Sequence, residues 1–175
     1  MKKLALVLLV LLLVVAGASL ASAIGFEKGK ITLGPTIGYG WGLGFGAQGE
    51  YGVTKNIGVG GDIAYISFTD KFNGYYSWHE WKYTLIGVLA AGSYHFTPGK
   101  VFDPYVKAGL GFFHWSATYK DSEGNTFNSL YSAGYNSGLG VTGQIGARYF
   151  FSPTVAGRAS IGWPFYFGAG IDFKF

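Results

Sequence analysis

The chain has 175 residues and a formal charge of +4, with 13% charged residues, 19% aromatic residues and no cysteine, which excludes disulfides, thiolate nucleophiles and zinc–sulfur sites. Once two lysines leave with the signal segment described next, the charge is about +2, too small a bias to indicate nucleic-acid binding. So few charges and so many aromatics are unusual for a soluble surface and natural for one that faces lipid.

The amino terminus has the three-part layout of a secretory signal peptide. A basic start (Lys2 and Lys3) precedes an unbroken apolar run over residues 4–15, and small residues then continue to Ala23. The alternative is a membrane anchor helix, but the run is short for a span of about 20 residues and no basic stop signal follows it. We expect cleavage after Ala23, which makes residues 1–23 a signal peptide.

Residues 24–175 suit one domain, in which period-two alternation bounded by turn residues predicts eight β-strands. The predicted strands are 30–40, 43–53, 57–68, 81–96, 105–118, 138–151, 155–163 and 165–175. The fourth is the least regular, because Leu85 and Leu89 interrupt its polar face.

The last predicted strand shows the alternation most clearly. Phe165, Phe167 and Ile171 fall on one face, whereas Asp172 and Lys174 fall on the other. The apolar face would cover a core in a soluble sheet, or would contact lipid in a transmembrane barrel with a polar lumen. The signal peptide favours the barrel.

The connections between strands alternate in character. Short turns are predicted at residues 54–56, 97–103 and 152–154, and longer polar loops at 69–80 and 121–136. This asymmetry is typical of barrels with periplasmic turns and extracellular loops. We therefore predict an all-β, eight-stranded antiparallel up-and-down transmembrane β-barrel in the outer membrane of a Gram-negative bacterium. An even strand count places both termini in the periplasm.

Aromatic residues also sort by strand end. Those near the short turns are Tyr51, Tyr94, Phe96, Tyr149, Phe151, Phe173 and Phe175. Those near the long loops include all five tryptophans, Trp41, Trp78, Trp81, Trp115 and Trp163. Two aromatic belts separated by aliphatic residues match the two interfaces of a membrane. A soluble lipocalin-like barrel explains neither belt.

The inward face of the predicted barrel carries a cluster of charges of both signs. Its members are Glu50, Asp62, Lys107, Arg148, Arg158, Asp172 and Lys174. Eight strands enclose a space that side chains just fill, so these charges must pair, since an unpaired buried charge costs several kcal/mol. The cluster is interpreted as a structural plug of salt bridges, with an ion gate as the alternative.

The interior near the long loops is predicted to be apolar. Glycines of the outer strands face larger groups of the third to fifth strands, namely Ile66, Phe68, Tyr83, Leu85 and Phe113. Small residues opposite large ones are how a narrow barrel fills itself. The alternative is a small hydrophobic pocket that opens towards the tryptophans.

One pattern suggests catalysis. His114 and Ser116 share a strand face, and Asp121 and Glu123 follow, so a base could reach a hydroxyl and an acid could orient the imidazole. The pattern resembles the His-x-Ser of the outer-membrane lipid A deacylases. The residues that follow differ from that family, so an interfacial histidine is the preferred interpretation. The histidines are too dispersed to indicate a metal site.

The signal peptide, the eight strands, the segment Pro104-Tyr-Val-Lys-Ala-Gly-Leu-Gly111 and the final Phe175 resemble the small OmpA/OmpX-type outer-membrane barrels. The resemblance implies a monomeric, non-enzymatic barrel without cofactors, mainly structural or surface-interacting, surrounded by outer-membrane lipid. It also implies that the barrel-assembly machinery recognises Phe175. A porin-like binding or permeation barrel for small hydrophobic molecules, as in the OmpW-like relatives, is the alternative, and a lipid A-modifying hydrolase is a third reading.

Overall fold

The computed structural model describes residues 24–73, 78–120, 126–128 and 137–175. The predicted signal peptide, residues 1–23, lies outside the described residues. Among the residues that are described, none belongs to a helix long and apolar enough to cross a membrane.

The described residues form long antiparallel β-strands. The strands are β1 (Ile31–Tyr39), β2 (Leu43–Gly52), β3 (Ile57–Asn73), β4 (Trp78–His95), β5 (Phe102–Lys120), β6 (Thr126–Asn128), β7 (Gly138–Ser152), β8 (Val155–Trp163) and β9 (Phe167–Lys174).

Eight of these strands close into a barrel. Each pairs with its neighbour in the chain, and the ring closes where β1 pairs with β9. The short strand β6 pairs with the last three residues of β5, beyond the stretch over which β5 pairs directly with β7. The predicted eight-stranded antiparallel up-and-down barrel is therefore confirmed.

The strands differ in length more than the sequence suggested. Strands β3, β4 and β5 have 17, 18 and 19 residues, whereas β1, β2, β8 and β9 have between 8 and 10. Much of the predicted loop 69–80 is therefore strand, and β3 to β5 rise beyond the other strands as a three-stranded wall. The predicted loop 121–136 contains β6, and its other residues lie outside the described part of the chain.

The start of the last strand was predicted wrongly. Strand β9 begins at Phe167, and Phe165 turns into the barrel, where it is 6% exposed. Pro164 has no backbone N–H to donate to a ladder and separates β8 from β9, so the alternation of β9 does not extend back to Phe165.

The outer surface of the barrel is an apolar band. Ile63, Leu110 and Val141 are 57%, 64% and 73% exposed, although each is a large aliphatic residue. Along β4 and the residue after it, the band runs from Ile86 to Phe96. Ten steps of about 3.4 Å at a tilt of about 40° give a height of roughly 26 Å. This matches the hydrocarbon thickness that transmembrane barrels present.

The two ends of the barrel are distinct. We call the end with residues 53–56, 96–101 and 153–154 the turn end, and the opposite end the loop end. The first strand and the last described residue meet at the turn end, where Phe175 N–H donates to Ile31 O over 2.8 Å. Both ends of the described chain therefore lie at the turn end.

Three of the tryptophans at the loop end, Trp41, Trp115 and Trp163, do not form the lipid-facing belt that the sequence suggested. The Trp41 ring packs against both Trp115 and Trp163 across the mouth of the barrel. Gly162 has a φ of 139°, which breaks the strand alternation before Trp163 and lets its ring pack inward. Tyr39 and Phe167, 56% and 67% exposed, lie on the outer surface at this end instead.

Candidate functional site

The seven charged residues predicted to face inward all lie inside the barrel, and none is more than 7% exposed. Strand alternation places them there, because their chain neighbours belong to the lipid-facing band. They come from six different strands, so barrel closure is what brings them together.

Asp172 is the centre of the charge cluster. Its Oδ2 accepts a hydrogen bond from Arg148 Nε at 2.8 Å, and Arg158 Nε lies 3.1 Å from both carboxylate oxygens. Arg158 also donates to Thr36 Oγ1 over 2.9 Å and to the Gln48 side-chain oxygen. One carboxylate therefore holds two guanidinium groups that lie side by side across β7 and β8.

Glu50 links this centre to a buried histidine. Its Oε2 lies 2.6 Å from Arg148 Nη1, and its Oε1 lies 3.0 Å from His95 Nε2. The other ring nitrogen, His95 Nδ1, lies 2.7 Å from Asp103 Oδ2. Ser93 Oγ also contacts Glu50. Both ring nitrogens face carboxylates, and only the doubly protonated imidazolium donates to both.

A second buried pair lies on the opposite wall. Lys107 Nζ donates to Asp62 Oδ1 over 2.7 Å, joining β5 to β3 across the interior. The Arg148 guanidinium lies 5.2 Å from the centre of the Tyr105 ring, so an aromatic face lies beside this charge as well.

The segment before β1 closes the turn end. Phe26 is 2% exposed, and its ring stacks on His95 with centroids 3.7 Å apart. Lys174 Nζ donates to Gly25 O over 2.8 Å and contacts the Glu27 carboxylate. Gly99 N–H donates to Phe26 O over 3.0 Å, which ties the segment to the turn between β4 and β5.

Four members of this site were not predicted from the sequence: Phe26, Glu27, His95 and Asp103. A signal for His95 was present, because Tyr94 and Phe96 were assigned outward and alternation then turns the residue between them inward. Asp103 lies in β5 on the same face as Lys107, but the strand was predicted to begin only at Tyr105, so its direction was not considered. Phe26 and Glu27 lie before β1, where no alternation indicates a direction.

The interior near the loop end is filled by apolar side chains. Ile66 and Leu85 are fully buried and pack with Phe113 and Phe165. Phe165 lies against β1, where a Cβ on Gly38 would fall 2.5 Å from Phe165 Cγ. The glycine therefore makes room for the ring.

Phe68 and Tyr83, the other residues of the predicted pocket, lie above this cluster. Their rings stack at 4.9 Å, and both are partly buried. The space predicted for a small pocket is thus largely occupied by side chains.

A small cavity separates the charged half from the apolar half. Gln48, Asp62, Gln144 and Phe165 are among its lining residues, and its volume is about 10 Å³. That is roughly the space one water molecule needs.

An aromatic group covers the mouth at the loop end. The Trp41 ring lies 5.0 Å from Trp163, 5.2 Å from Trp115 and 5.7 Å from Tyr166. Trp41 is 38% exposed, so this group forms both a cover for the apolar cluster and an accessible aromatic surface.

The candidate hydrolase residues lie elsewhere. His114 and Ser116 are exposed on the outer face of β5, and His114 Nδ1 lies 3.2 Å from Ser137 Oγ. Asp121 and Glu123 lie outside the described residues. Within the described part of the chain, no group of three or more acidic, histidine or cysteine side chains is arranged to hold a metal ion.

The sequence and fold resemble known outer-membrane barrels. The family model for the outer membrane protein beta-barrel domain matches residues 7–174. A comparison with curated proteins gives no match.

Three solved structures show the same fold at low sequence identity. OprG of Pseudomonas aeruginosa is 10% identical with a TM-score of 0.60, covering 86% of this chain and 98% of its own. Ail of Yersinia pestis, in complex with the heparin analogue sucrose octasulfate, is 15% identical with a TM-score of 0.55, covering 85% and 100%. The β-barrel domain of P. aeruginosa OprF is 16% identical with a TM-score of 0.53, covering 85% and 98%.

Proposed function

We propose that this chain, which belongs to the outer membrane protein beta-barrel family, is a closed, non-enzymatic barrel of the outer membrane with a mainly structural or surface-interacting role. The buried interior carries the proposal. Ion pairs fill the turn-end half, apolar side chains fill the loop-end half, and the space between them is about 10 Å³. Since eight strands enclose a space that side chains just fill, we expect no path for a hydrated ion through this interior.

The orientation and partners are part of the same proposal. Long strands and aromatic residues at the loop end support its placement outside the cell, with the short turns and both termini in the periplasm. The barrel acts as a monomer in outer-membrane lipid. The exposed Phe175 is the residue that we propose the barrel-assembly machinery recognises during insertion.

Planar-bilayer conductance tests the closed interior. We expect no steady unit current from the refolded barrel, with an open porin measured in parallel as the positive control. The variant Phe26→Ala should give no unit current either, because the ion pairs beneath Phe26 still fill the lumen. Reproducible unit currents from the wild-type barrel would show that the plug is not closed.

A second candidate is binding of small hydrophobic molecules, and the aromatic mouth favours it. Trp41 is partly exposed above an apolar floor that includes Ile66 and Phe165. Tryptophan fluorescence during titration with an apolar probe tests this candidate. Saturable quenching in the wild type that disappears in Trp41→Ala would support binding, and linear quenching in both would oppose it.

A further inference from the structure

Three polar side chains around the small interior cavity each carry an atom that has no hydrogen-bond partner among the described residues. Gln48, Asp62 and Gln144 line the cavity and are 3%, 7% and 8% exposed. The unpartnered atoms are Gln48 Nε2, Asp62 Oδ2 and Gln144 Oε1, and all three are shielded from solvent. Buried polar atoms normally have a partner, because leaving one unsatisfied costs free energy. These three atoms therefore point to a ligand that fits between them.

The neighbours of the two glutamines fix which amide atom is left for that ligand. Arg158 Nη1 contacts the Gln48 side-chain oxygen, and a guanidinium group can only donate. The atom of Gln48 that remains is therefore its N–H donor. Gln144 Nε2 donates to Trp163 O over 3.3 Å, and a backbone carbonyl can only accept. The atom of Gln144 that remains is therefore its oxygen acceptor.

The cavity thus presents one donor and two acceptors. Asp62 supplies the second acceptor, since its Oδ1 accepts from Lys107 Nζ over 2.7 Å and its Oδ2 is left. A cation in the cavity would face the Gln48 N–H group and the Arg158 guanidinium, and an anion would face a carboxylate oxygen. A water molecule accepts one hydrogen bond and donates two, so it satisfies all three atoms at once.

We propose that this cavity is a binding site for one water molecule, which accepts a hydrogen bond from Gln48 Nε2 and donates to Asp62 Oδ2 and Gln144 Oε1. The volume of about 10 Å³ admits one water and not two. Buried waters typically make about three hydrogen bonds to groups that are otherwise unsatisfied, as here. The inference deepens the proposed closed interior and rests on it, because an open lumen would exchange this water with solvent.

The bound water joins two groups of charges into one network. On one side, Gln48 contacts Arg158, whose Nε lies 3.1 Å from both carboxylate oxygens of Asp172. On the other side, Asp62 pairs with Lys107. A buried polar network in which every member is satisfied rigidifies a core. The water therefore completes the polar packing among β2, β3 and β7, where the charged half of the lumen meets the apolar half.

Nuclear magnetic resonance of the refolded barrel in neutral detergent detects such a water. Glutamine occurs in this chain only at positions 48 and 144, so isotope-labelled glutamine gives two side-chain amides to observe. We expect the Gln48 amide to show a strong cross peak with water, of opposite sign in NOESY and ROESY spectra, as a water that stays bound gives. The Gln144 amide points to Trp163 O, so its peak should be weaker.

The variant Ala64→Val tests the location of the water. Ala64 is 1% exposed and lines the cavity, so two added methyl groups would take the space of the water. Ala117→Val is the matched control, because Ala117 is also buried but lies beside Tyr83, on the loop-end part of β5. We expect the Gln48 peak to be lost in Ala64→Val and kept in Ala117→Val. Heat-modified migration on gels, read first, shows that each variant has folded.

A wild-type barrel without a water peak at Gln48 would overturn the proposal, and so would a peak that persists in folded Ala64→Val. Replacing sodium chloride by choline chloride at equal concentration should leave the Gln48 signals unchanged, and a change would identify a bound cation instead. Peaks of the same sign in both spectra would report exchange of the amide protons with solvent. That result would refute the closed interior itself, whereas a missing peak in a barrel that passes no current refutes only the water site.

Discussion

Replacing Asp172 by asparagine should destabilise the barrel more than any other single loss of charge in the interior. The substitution keeps the size of the side chain and removes the charge that neutralises two guanidinium groups. Three hydrogen bonds from Arg148 and Arg158 converge on this carboxylate. An asparagine amide would direct its own N–H groups at the guanidinium donors, so at least one of these bonds becomes a donor–donor contact.

The size of the destabilisation depends on the partners that Arg148 and Arg158 keep after the substitution. Breaking a buried ion pair by removing one partner costs about 3–5 kcal/mol. Here Arg148 keeps Glu50 at 2.6 Å, and Arg158 keeps Thr36 at 2.9 Å, so neither guanidinium is left without an acceptor. We therefore expect the free energy of unfolding to fall by about 3 kcal/mol, the lower end of that range. That is a large share of the 5–15 kcal/mol typical of a domain.

Urea unfolding of the barrel in lipid vesicles, followed by tryptophan fluorescence and gel migration, measures this free energy. With a slope of about 1–3 kcal/mol per molar urea, the midpoint should fall by about 1–3 M. Asp70→Asn is the control, because Asp70 is exposed at the loop end and its loss should stay within about 0.5 kcal/mol. Arg158→Gln added to Asp172→Asn should recover part of the loss, with a coupling of about 1–3 kcal/mol. A midpoint shift no larger than that of Asp70→Asn, or strictly additive losses in the double variant, would refute the central role of Asp172.

Two further predictions concern the membrane. Ile171 is exposed on the outer face and Gln144 faces the interior. Ile171→Arg should therefore lower the free energy of unfolding by about 2–4 kcal/mol and abolish heat-resistant gel migration, whereas Gln144→Arg should be tolerated better. Equal tolerance of both substitutions would show that the faces are misassigned. Because the chain has no cysteine, single introduced cysteines report the orientation of the barrel. On intact cells, a thiol reagent that cannot cross the membrane should label Lys71→Cys but not Lys55→Cys or Lys100→Cys. The opposite labelling would show that the barrel has the reverse orientation.

Alternation predicted most of the fold, and the errors lie where alternation stops applying. The seven interior charges occupy strand positions whose neighbours are apolar, so period two alone places them inside. Leu85 and Leu89 made the predicted β4 the least regular strand, because its inward face changes from polar residues near the turn end to apolar residues near the loop end. They belong to the apolar half of the lumen, where an aliphatic side chain is the correct choice.

The contacts that close the barrel come from irregular segments. Phe26 lies before β1, and Phe165 follows Pro164 between β8 and β9. Their directions depend on backbone turns that only the folded chain fixes. Asp103 contacts His95 eight residues earlier, because the turn at residues 96–101 reverses the chain. No pattern of polarity in the sequence indicates that pairing.

The unequal strand lengths place the accessible chemistry on the wall of β3, β4 and β5. Under the proposed function the lumen is closed, so we expect solutes to bind only on surfaces outside it. On this wall, Trp81 and Tyr83 lie on the face turned to the mouth, and Lys82 is exposed on the opposite face. If the mouth binds small hydrophobic molecules, as the second candidate function proposes, Tyr83→Ala should weaken fluorescence quenching by an apolar probe, whereas the adjacent Lys82→Gln should leave the quenching unchanged. An equal change in both variants would remove this face of the wall from the proposed binding surface.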